Sequence, residues 1–400
     1  MSPLPNPSSL PPLIEPGAEL SRDEIARYAR HLVIPDLGVD GQRRLKNARV
    51  LVIGAGGLGA PTLLYLAAAG IGTLGVVDFD VVDESNLQRQ IIHGVADVGR
   101  PKTQSARDSI GVINPLVDVR LHEFALDRDN AVDLFGRYDL IVDGSDNFAT
   151  RYLVNDAAVL AAKPYVWGSI YRFEGQISVF WEQAPHGRGL NYRDLYPEPP
   201  PPGAVPSCAD GGVLGVVCAA VASVMSTEAI KLITGLGESL LGRLMIYDAL
   251  AMTYRTITLR RDPSDELRPR IIELVDYQQL CGVTDGPDET SFVDGAITPR
   301  RLRDLMESGA ELDLIDVREP VEWDIVHIDG ARLVPQSTIR GGDGLARLPR
   351  DRMAVFYCKT GVRSAEVLRA ARDAGFDDAV HLEGGIVAWA EQIQPDMVTY

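Results

Sequence analysis

The chain of 400 residues has few cysteines and too few basic side chains to balance its acidic ones. No two cysteines form a C-x-x-C pair, and the four that occur are Cys208, Cys218, Cys281 and Cys358. This usage argues against a disulfide framework and is typical of the cytosol, where an unusual cysteine is more often reactive than bridged. The 39 Lys and Arg face 56 Asp and Glu, a net charge of −17. We therefore expect no general affinity for nucleic acid or anionic membranes, although a local basic pocket is compatible with this charge.

We expect no secretory signal in the first twenty residues, because they have neither a basic start nor an unbroken apolar core. Their prolines predict a flexible leader over residues 1–20. The most membrane-like stretch, residues 213–234, contains Glu228 and Lys231. We interpret it as a buried helix with a solvated end rather than as a membrane span. The expected location is the cytoplasm.

An apolar content of 46% over 400 residues predicts a folded protein of two or three domains. Short apolar runs alternate with helical patterns, which is typical of a doubly wound, mostly parallel α/β sheet. The predicted buried strands of the first part are RVLVI, TLGVVDFD, YDLIVD and YVWGSI. We predict a first α/β domain over residues 21–275, a polar linker over 276–295 and a smaller α/β domain over 296–400.

A glycine-rich turn follows the first predicted strand, with Gly54, Gly56 and Gly59 in the spacing G-x-G-x-x-G. Such glycines permit a tight turn and let the backbone approach a phosphate at the start of the next helix. The motif alone leaves alternatives open. One is an NAD-dependent oxidoreductase with Asp78 on the ribose, and another is a turn with a purely structural role.

Polar clusters after successive strands favour ATP over a dinucleotide. They are DESNLQRQ at residues 83–90, GRPKTQSARD with Lys102, and DGSDN at residues 143–147. Open α/β sheets bind ligands at the carboxyl ends of their strands. A triphosphate under attack needs fixed cations and usually a metal ligand, and these clusters offer both.

Together these motifs resemble the ubiquitin-activating superfamily, in particular its MoeB and ThiF branch, from about Ser21 to Arg270. The resemblance implies that ATP and Mg²⁺ are used to adenylate the C-terminal Gly-Gly carboxylate of a small ubiquitin-like sulfur carrier of the MoaD, ThiS or CysO type. It assigns to the ATP site Gly57, Asp78, Ser85, Asn86, Leu87, Gln88, Arg89, Lys102, Asp146 and Asn147.

The resemblance also implies individual roles. Asp78 would hold the ribose and Asp146 would coordinate Mg²⁺, while Arg89 and Lys102 would neutralise phosphate charge. Arg30, in RYARHL, resembles an arginine that family members lend across a subunit interface. A homodimer is therefore implied.

The chain departs from this family where most members carry two C-x-x-C pairs that bind a structural zinc. The two segments here are NYRDLYPE, residues 191–198, and RRDPSDELRP, residues 260–269. Asp194 and Asp265 could offer oxygen ligands, but without thiolate or imidazole they do not suit a tetrahedral zinc site. We therefore expect no structural zinc, and packing or an ion pair in its place.

Cys208 lies in a proline-rich and then glycine-rich segment before the long apolar helix. The resemblance implies a mobile-loop cysteine that can bond covalently to the activated carrier, and the alternative is a small packing residue. We interpret Cys218, inside the helix, as a packing residue. Cys281 lies in the predicted linker and has no neighbouring chemistry.

Cys358 ends an apolar strand pattern in VFYCKTGVRSAE, residues 355–366, and a helical pattern follows it. Loop amides, Lys359, Arg363 and the helix N-terminus would all favour a thiolate or persulfide anion. The C-x4-R spacing is one residue shorter than the C-x5-R loop of cysteine phosphatases. A shorter ring of amides suits one sulfur atom better than a phosphate, and the alternative is a buried cysteine with cations nearby by chance.

From about Ile297 to Tyr400 the chain resembles a rhodanese domain, on the motifs LIDVREPVEWDIVHIDGARLVP, CKTGVRS and LEGGIVAW. The family's loop cysteine carries a persulfide, which implies that role for Cys358. Asp316, Arg318 and His327 belong to its framework motif, and we interpret them as structural.

The order of the two domains resembles that of the molybdopterin-synthase sulfurylases. It implies a carrier thiocarboxylate as product, used in molybdopterin, cysteine, thiamine or tRNA-thiolation chemistry. The sulfur donor would be thiosulfate or the persulfide of a cysteine desulfurase. A non-catalytic scaffold whose second domain only binds partners is a further alternative, which the intact Cys358 loop disfavours.

Overall fold

The computed structural model describes residues 10–200, 212–261, 270–280, 295–341 and 344–398. The chain divides into two compact units, Met1–Thr284 and Asp285–Tyr400, and each is described by itself. Cys208, Asp265 and Cys281 lie outside the described residues.

The first unit is built on an eight-stranded sheet in the order β3-β2-β1-β4-β5-β6-β7-β8. The strands from β3 to β5 in this order are parallel, and β6, β7 and β8 continue the sheet antiparallel. Their bounds are β1 Arg49–Ile53, β2 Thr73–Val77, β3 Asp118–His122, β4 Leu140–Asp143, β5 Tyr165–Tyr171, β6 Glu174–Phe180, β7 Arg243–Asp248 and β8 Thr253–Thr258.

Helices cover both faces of the central part of this sheet, so the parallel strands β1, β2 and β4 are buried. The helix bounds are α1 Arg22–Arg27, α2 Ala29–Leu32, α3 Gly38–Asn47, α4 Gly59–Ala69, α5 Lys102–Ile113, α6 Ala131–Gly136, α7 Phe148–Leu160, α8 Gly215–Thr234 and α9 Tyr277–Leu280. The expected doubly wound, mostly parallel α/β fold is confirmed for this unit.

Helix α8 is the membrane-like stretch of the sequence. Over the described part of the chain it is the one helix long and apolar enough to cross a membrane, by length and composition alone, and 56% of its apolar window is buried. It packs on α4, β5 and β6 through fully buried side chains such as Val217, Val221 and Met225. Near its C-terminal end, the buried Glu228 forms an ion pair of 2.5 Å with Lys231, which is partly exposed.

Part of the predicted flexible leader is packed against the first unit. Leu10 and Ile14 are buried in its core, and Arg43 Nε donates to the Gly17 carbonyl oxygen at 2.9 Å. The expectation for residues 1–20 therefore does not describe residues 10–20. Apolar side chains between the prolines gain burial, and α3 supplies donors to the backbone carbonyls.

The second unit has a five-stranded parallel sheet in the order β11-β10-β12-β13-β9, again with helices on both faces. Its strands are β9 Ala296–Ile297, β10 Leu312–Asp316, β11 Arg332–Leu333, β12 Met353–Tyr357 and β13 Val380–Leu382. Its helices are α10 Pro299–Glu307, α11 Pro320–Ile325, α12 Gln336–Arg340, α13 Val362–Asp373 and α14 Gly385–Gln392. The expected smaller α/β domain is confirmed.

Candidate active sites of the two units

The glycine turn joins β1 to α4 at the carboxyl edge of the parallel strands. Gly54 has φ +84°, and a Cβ on Gly59 would lie 1.8 Å from the Gly54 carbonyl oxygen. Both positions therefore require glycine. A Cβ on Gly57 would lie 3.0 Å from the sulfur of Cys218, which is fully buried on α8 and packs beneath the turn.

Asp78 and Lys102 stand beside this turn and are linked through Asp80. The Ala55 amide donates to Asp78 Oδ2 at 2.8 Å, and the Asp80 amide donates to Asp78 Oδ1 at 2.9 Å. Lys102, buried at the start of α5, donates through Nζ to Asp80 Oδ2 at 2.8 Å. Burial raises the pKa of Asp78, and the hydrogen bond from Ala55 partly offsets this. Both carboxylate oxygens of Asp78 thus accept hydrogen bonds from backbone amides.

The predicted segment Ser85–Arg89 begins with a short 3₁₀ helix, Glu84–Asn86, whose first turn is capped by Asp83. A Cβ on Gly215 would lie 2.3 Å from the Gln88 carbonyl oxygen, so the start of α8 packs directly on this segment. Ser85 and Gln88 are exposed, and Asn86, Leu87 and Arg89 are half-buried. The segment is therefore held in place while several of its side chains face solvent.

The DGSDN segment follows β4. Asp143 is fully buried, accepts from the Ser145 amide at 2.9 Å, and has its pKa raised to about 6 by burial. Asp146 and Asn147 are exposed, and Asn147 caps α7 by accepting from the Thr150 amide at 2.8 Å. The exposed Asp146 carboxylate is the one suited to a metal ion, because Asp143 is sealed in the core.

The strand register brings these three groups to one edge. β1 lies between β2 and β4, and Ile53 pairs with both Val77 and Asp143. The glycine turn, the Asp78–Lys102 group and the DGSDN segment therefore start at the same level of the sheet. The chain order also reverses between β1 and β4, which is where open α/β sheets bind ligands.

Arg30 is not part of this group within one chain. It is exposed on α2. The neighbouring Tyr28 hydroxyl accepts from Asn114 Nδ2 at 2.8 Å, and the same nitrogen donates to the Ala67 carbonyl oxygen at 2.7 Å. These contacts are at the carboxyl ends of α5 and α4, so α2 lies at the opposite edge of the parallel strands from the glycine turn.

An ion-pair network lies where the family's zinc cysteines would be expected. Arg261 donates through Nη1 and Nη2 to Glu182 at 3.0 and 2.7 Å, and through Nη2 and Nε to Asp194 at 3.1 and 3.2 Å. Asn191 Nδ2 donates to Glu182 Oε2 at 2.7 Å. Although burial lowers the pKa of Arg261, its hydrogen bonds to Asp194 and Glu182 raise it overall. Asn191 and Asp194 of the first segment are thus joined to Arg261 of the second by hydrogen bonds and an ion pair.

In the second unit, Cys358 follows β12, and its buried sulfur accepts hydrogen bonds from the loop. The Gly361 amide lies 3.1 Å from Sγ, the Ser364 amide 3.4 Å and the Ser364 hydroxyl 3.6 Å. Gly361 has φ +96°, and a Cβ there would lie 3.2 Å from the Gly384 amide nitrogen. Donors that converge on one sulfur atom stabilise its anion.

Arg363 makes a different contact from the one expected. Its guanidinium pairs with both oxygens of Glu322 at 2.8 Å each. Glu322 also closes the first turn of α11 by accepting from the Glu319 amide at 3.0 Å. The carboxylate offsets much of the positive charge that Arg363 was expected to add near Cys358.

The framework motif of the second unit makes structural contacts. Arg318 and Asp316 are both fully buried and pair at 2.5 Å, and Arg318 also donates to the Val326 carbonyl oxygen at 2.7 Å. The His327 ring stacks on Trp323 with ring centroids 3.9 Å apart.

Sequence reasoning did not single out Asp80 or Glu322. The sequence could have indicated Asp80, because it lies two residues after Asp78 in the segment Asp78-Phe79-Asp80. No local pattern indicates Glu322, because 41 residues separate it from Arg363 and only the fold brings the two together.

Comparison with known proteins places both units in families. The ThiF family profile matches residues 28–268, and the rhodanese-like domain profile matches residues 298–392. The "Probable adenylyltransferase/sulfurtransferase MoeZ" of Mycobacterium tuberculosis is 75% identical over 98% of this chain and 100% of that protein.

Two other relatives differ in how much of this chain they match. A "Sulfur carrier protein adenylyltransferase" of Thermus thermophilus is 51% identical over 66% of this chain and 98% of its own length. The "Adenylyltransferase and sulfurtransferase MOCS3" of Drosophila ananassae is 39% identical over 96% of this chain and 87% of its own length. The chain belongs to the ThiF family, with a rhodanese-like domain as its second part.

Proposed function

We propose that this chain adenylates the C-terminal Gly-Gly carboxylate of a small ubiquitin-like sulfur carrier and then converts it to a thiocarboxylate with sulfur from Cys358. The chain is an adenylyltransferase and sulfurtransferase, as its relatives are named. The observation that carries the proposal is the pairing of two complementary sites in one chain. One gathers cations and carboxylates at a sheet edge, and the other directs donors at a single sulfur atom.

In the first step, a carboxylate oxygen of the carrier attacks the α-phosphorus of ATP. The bond from this phosphorus to the bridging oxygen breaks, and pyrophosphate leaves. Two anions must approach each other, so fixed cations lower the barrier. Lys102 and Arg89 supply them, and Lys102 is held ready by Asp80. The backbone amides of the glycine turn and of the start of α4 would donate hydrogen bonds to phosphate oxygens.

Asp146 would hold Mg²⁺ in this site, since it offers an exposed hard-oxygen ligand at the right edge. Magnesium is usually bound by one or two carboxylates together with substrate phosphates and water. Within the part of the chain that is described, no group of three or more His, Cys, Asp or Glu residues could hold a metal. The other ligands would thus come from ATP and water. The ion would neutralise charge on the leaving pyrophosphate.

In the second step, the Cys358 thiolate takes the outer sulfur of thiosulfate and releases sulfite, or accepts sulfur from a cysteine desulfurase persulfide. The terminal persulfide sulfur then attacks the carrier's acyl-adenylate, and AMP leaves. This joins the carrier to Cys358 through an acyl disulfide. The thiol of Cys208, or of an external reductant, must then attack the Cys358 sulfur of this S–S bond. The attack releases the thiocarboxylate and leaves Cys358 in a disulfide, which an external thiol reductant returns to the free thiol.

We further propose a cytoplasmic homodimer in which Arg30 of each subunit serves the ATP site of its partner. The contacts of the neighbouring Tyr28 support this, because they place α2 at the edge of the parallel strands opposite the glycine turn. The product would serve the biosynthesis of the molybdenum cofactor, cysteine or related sulfur compounds.

Carrier-dependent ATP–pyrophosphate exchange tests the first step and separates the alternatives. The matched control is the same carrier without its last glycine, which should give no exchange. An oxidoreductase would bind NAD and show no exchange with either carrier. A scaffold would bind the carrier without exchange.

A further inference from the structure

His93 is a buried histidine with both ring nitrogens in hydrogen bonds, and the mechanism above does not use it. Its Nε2 lies 3.1 Å from the carbonyl oxygen of Ala55, within the glycine turn. Its Nδ1 lies 2.8 Å from the hydroxyl oxygen of Ser105, on α5. The side chain therefore bridges the turn that would receive the phosphates and the helix that carries Lys102.

The two partners determine where the ring proton lies. The Ala55 carbonyl oxygen can only accept, so Nε2 must carry the hydrogen. In a neutral ring with its proton on Nε2, Nδ1 accepts from the Ser105 hydroxyl. The opposite tautomer would place two lone pairs against each other at Nε2.

His93 also completes a ring of hydrogen-bonded residues around the glycine turn. The Ala55 amide donates to Asp78, the Asp80 amide donates to Asp78, and Lys102 donates to Asp80. Ser105 lies one helical turn after Lys102 on α5. It is hydrogen-bonded to His93, which in turn is hydrogen-bonded to the Ala55 carbonyl oxygen. Both polar groups of the Ala55 backbone are thus anchored by side chains from other elements.

We propose that neutral His93, with its proton on Nε2, is a positioning residue that fixes the glycine turn relative to Lys102 and so sets the affinity for ATP. The proposal rests on the proposed function, because it takes the turn and Lys102 to bind phosphate. His93 itself touches no substrate. It acts through the Ala55 peptide and through α5.

The surroundings of His93 keep it neutral. Burial lowers the pKa of His93. The positive charge of Lys102 on α5 also lowers the pKa, whereas the negative charges of Asp97, in the 3₁₀ helix Val95–Asp97, and of Asp78, after β2, raise it. Asp97 is already paired with Arg100 at 2.5 Å. A lowered pKa in the folded state means that stability is full above the ordinary value of about 6.5 and falls as the pH drops below it.

The first test needs no ATP. The chain has 6 histidines, so ¹⁵N-histidine labelling yields a small set of ring signals, and His93→Gln identifies the one of interest. We expect the neutral Nε2–H tautomer at pH 7 and no protonation near pH 6.5. A neutral Nδ1–H form, or protonation at the value of free histidine, would overturn the proposal.

The second test compares variants by equilibrium binding of a non-hydrolysable ATP analogue with Mg²⁺. His93→Phe removes both hydrogen bonds and should weaken binding about tenfold, as expected for loss of about 1.4 kcal/mol. His93→Gln can place an amide N–H near the Nε2 position and should stay within about threefold. Ser105→Ala keeps the ring and should weaken binding by about threefold.

The matched control is His122→Gln, a half-buried histidine on β3 that bonds to the Tyr138 hydroxyl at 2.7 Å. It should bind the analogue as the wild type does. Thermal unfolding of every variant identifies loss of fold. If His93→Phe does not fold, the affinity of Ser105→Ala for the analogue and the tautomer of His93 in the wild type test the proposal. Wild-type affinity in folded His93→Phe or in Ser105→Ala would overturn the role of His93. Failure of the wild type to bind the analogue would instead overturn the proposed function.

Discussion

Lys102 is a buried cation that is paired with the Asp80 carboxylate at 2.8 Å. Substitution to Ala should lower carrier-dependent ATP–pyrophosphate exchange by about a hundredfold or more, because a fixed positive charge at the reacting phosphates is lost. Asp146→Ala should have a comparable effect through Mg²⁺. Lys46→Ala is the matched control, since Lys46 makes a similar pair with Glu24 at 2.8 Å. Exchange near the wild-type rate in both site variants would refute the ATP-site assignment.

Two variants of the Cys358 loop test whether backbone amides or side-chain charge contribute more to the reactivity of Cys358. Arg363 is neutralised by Glu322, so Arg363→Ala should slow thiosulfate-to-cyanide sulfur transfer by about tenfold at most. Gly361→Ala should slow it much more, because φ +96° is strained for Ala and the amide would move from the sulfur. A larger loss in Arg363→Ala than in Gly361→Ala would show that side-chain charge dominates.

Glu322→Gln is the matched variant for this comparison. It removes the negative charge beside Arg363 while leaving a side chain of similar size. If the guanidinium is held away from the sulfur, transfer should change little, or should rise as the positive charge is released.

At the scale of elements, the network of Arg261, Glu182 and Asp194 ties the end of the sheet to the 3₁₀ helix Tyr192–Asp194. Arg261→Ala leaves two carboxylates without their shared cation, and Asp194 is almost fully buried. We expect the free energy of unfolding in urea to fall by about 1–3 kcal/mol, less than for a fully buried pair since Arg261 is partly exposed.

Arg120→Ala is the control for this prediction, because Arg120 and Asp118 form an exposed pair that should contribute about 0–1 kcal/mol. Chelator should leave the wild-type unfolding curve unchanged, and elemental analysis should find no stoichiometric zinc. A curve that shifts with chelator would contradict the expectation that this network replaces a metal.

Elements with strong local patterns were predictable, and those that depend on distant partners were not. The run RVLVI coincides with β1, and TLGVVDFD contains β2. The edge strand β3, with sequence DVRLH, was missed because its charged and half-buried residues give no apolar run. The two-residue strand β9 was missed as well, since it is too short to show any period.

The two sites were likewise predictable only where they depend on local sequence. The glycine turn, the polar segments after the strands and the cysteine loop follow from local sequence. The pairing of Arg363 with Glu322, and of Arg261 with Glu182 79 residues away, depends on the tertiary fold. Local sequence therefore indicated a phosphate-binding site and a reactive cysteine. It did not indicate that Arg363 and Arg261 are paired with distant carboxylates.

At the scale of the whole molecule, the proposed dimer predicts complementation between two inactive variants. Arg30→Ala lacks the arginine lent to its partner, and Lys102→Ala lacks its own phosphate-binding cation. A mixed dimer contains one complete site, so mixing equal amounts should restore about a quarter of wild-type exchange. Exchange that stays at the level of the separate variants after subunit mixing would contradict a shared site.

The central claim is that sulfur reaches the activated carrier through Cys358, and the mass of the carrier tests it most directly. The carrier is incubated with ATP, Mg²⁺, thiosulfate and a thiol reductant. The wild type should yield a carrier heavier by the replacement of one oxygen by sulfur. Cys358→Ala should yield no such species although it still catalyses ATP–pyrophosphate exchange, and inorganic sulfide should restore the product. If Cys358→Ala forms the thiocarboxylate from thiosulfate at the wild-type rate, the proposed sulfur route is wrong.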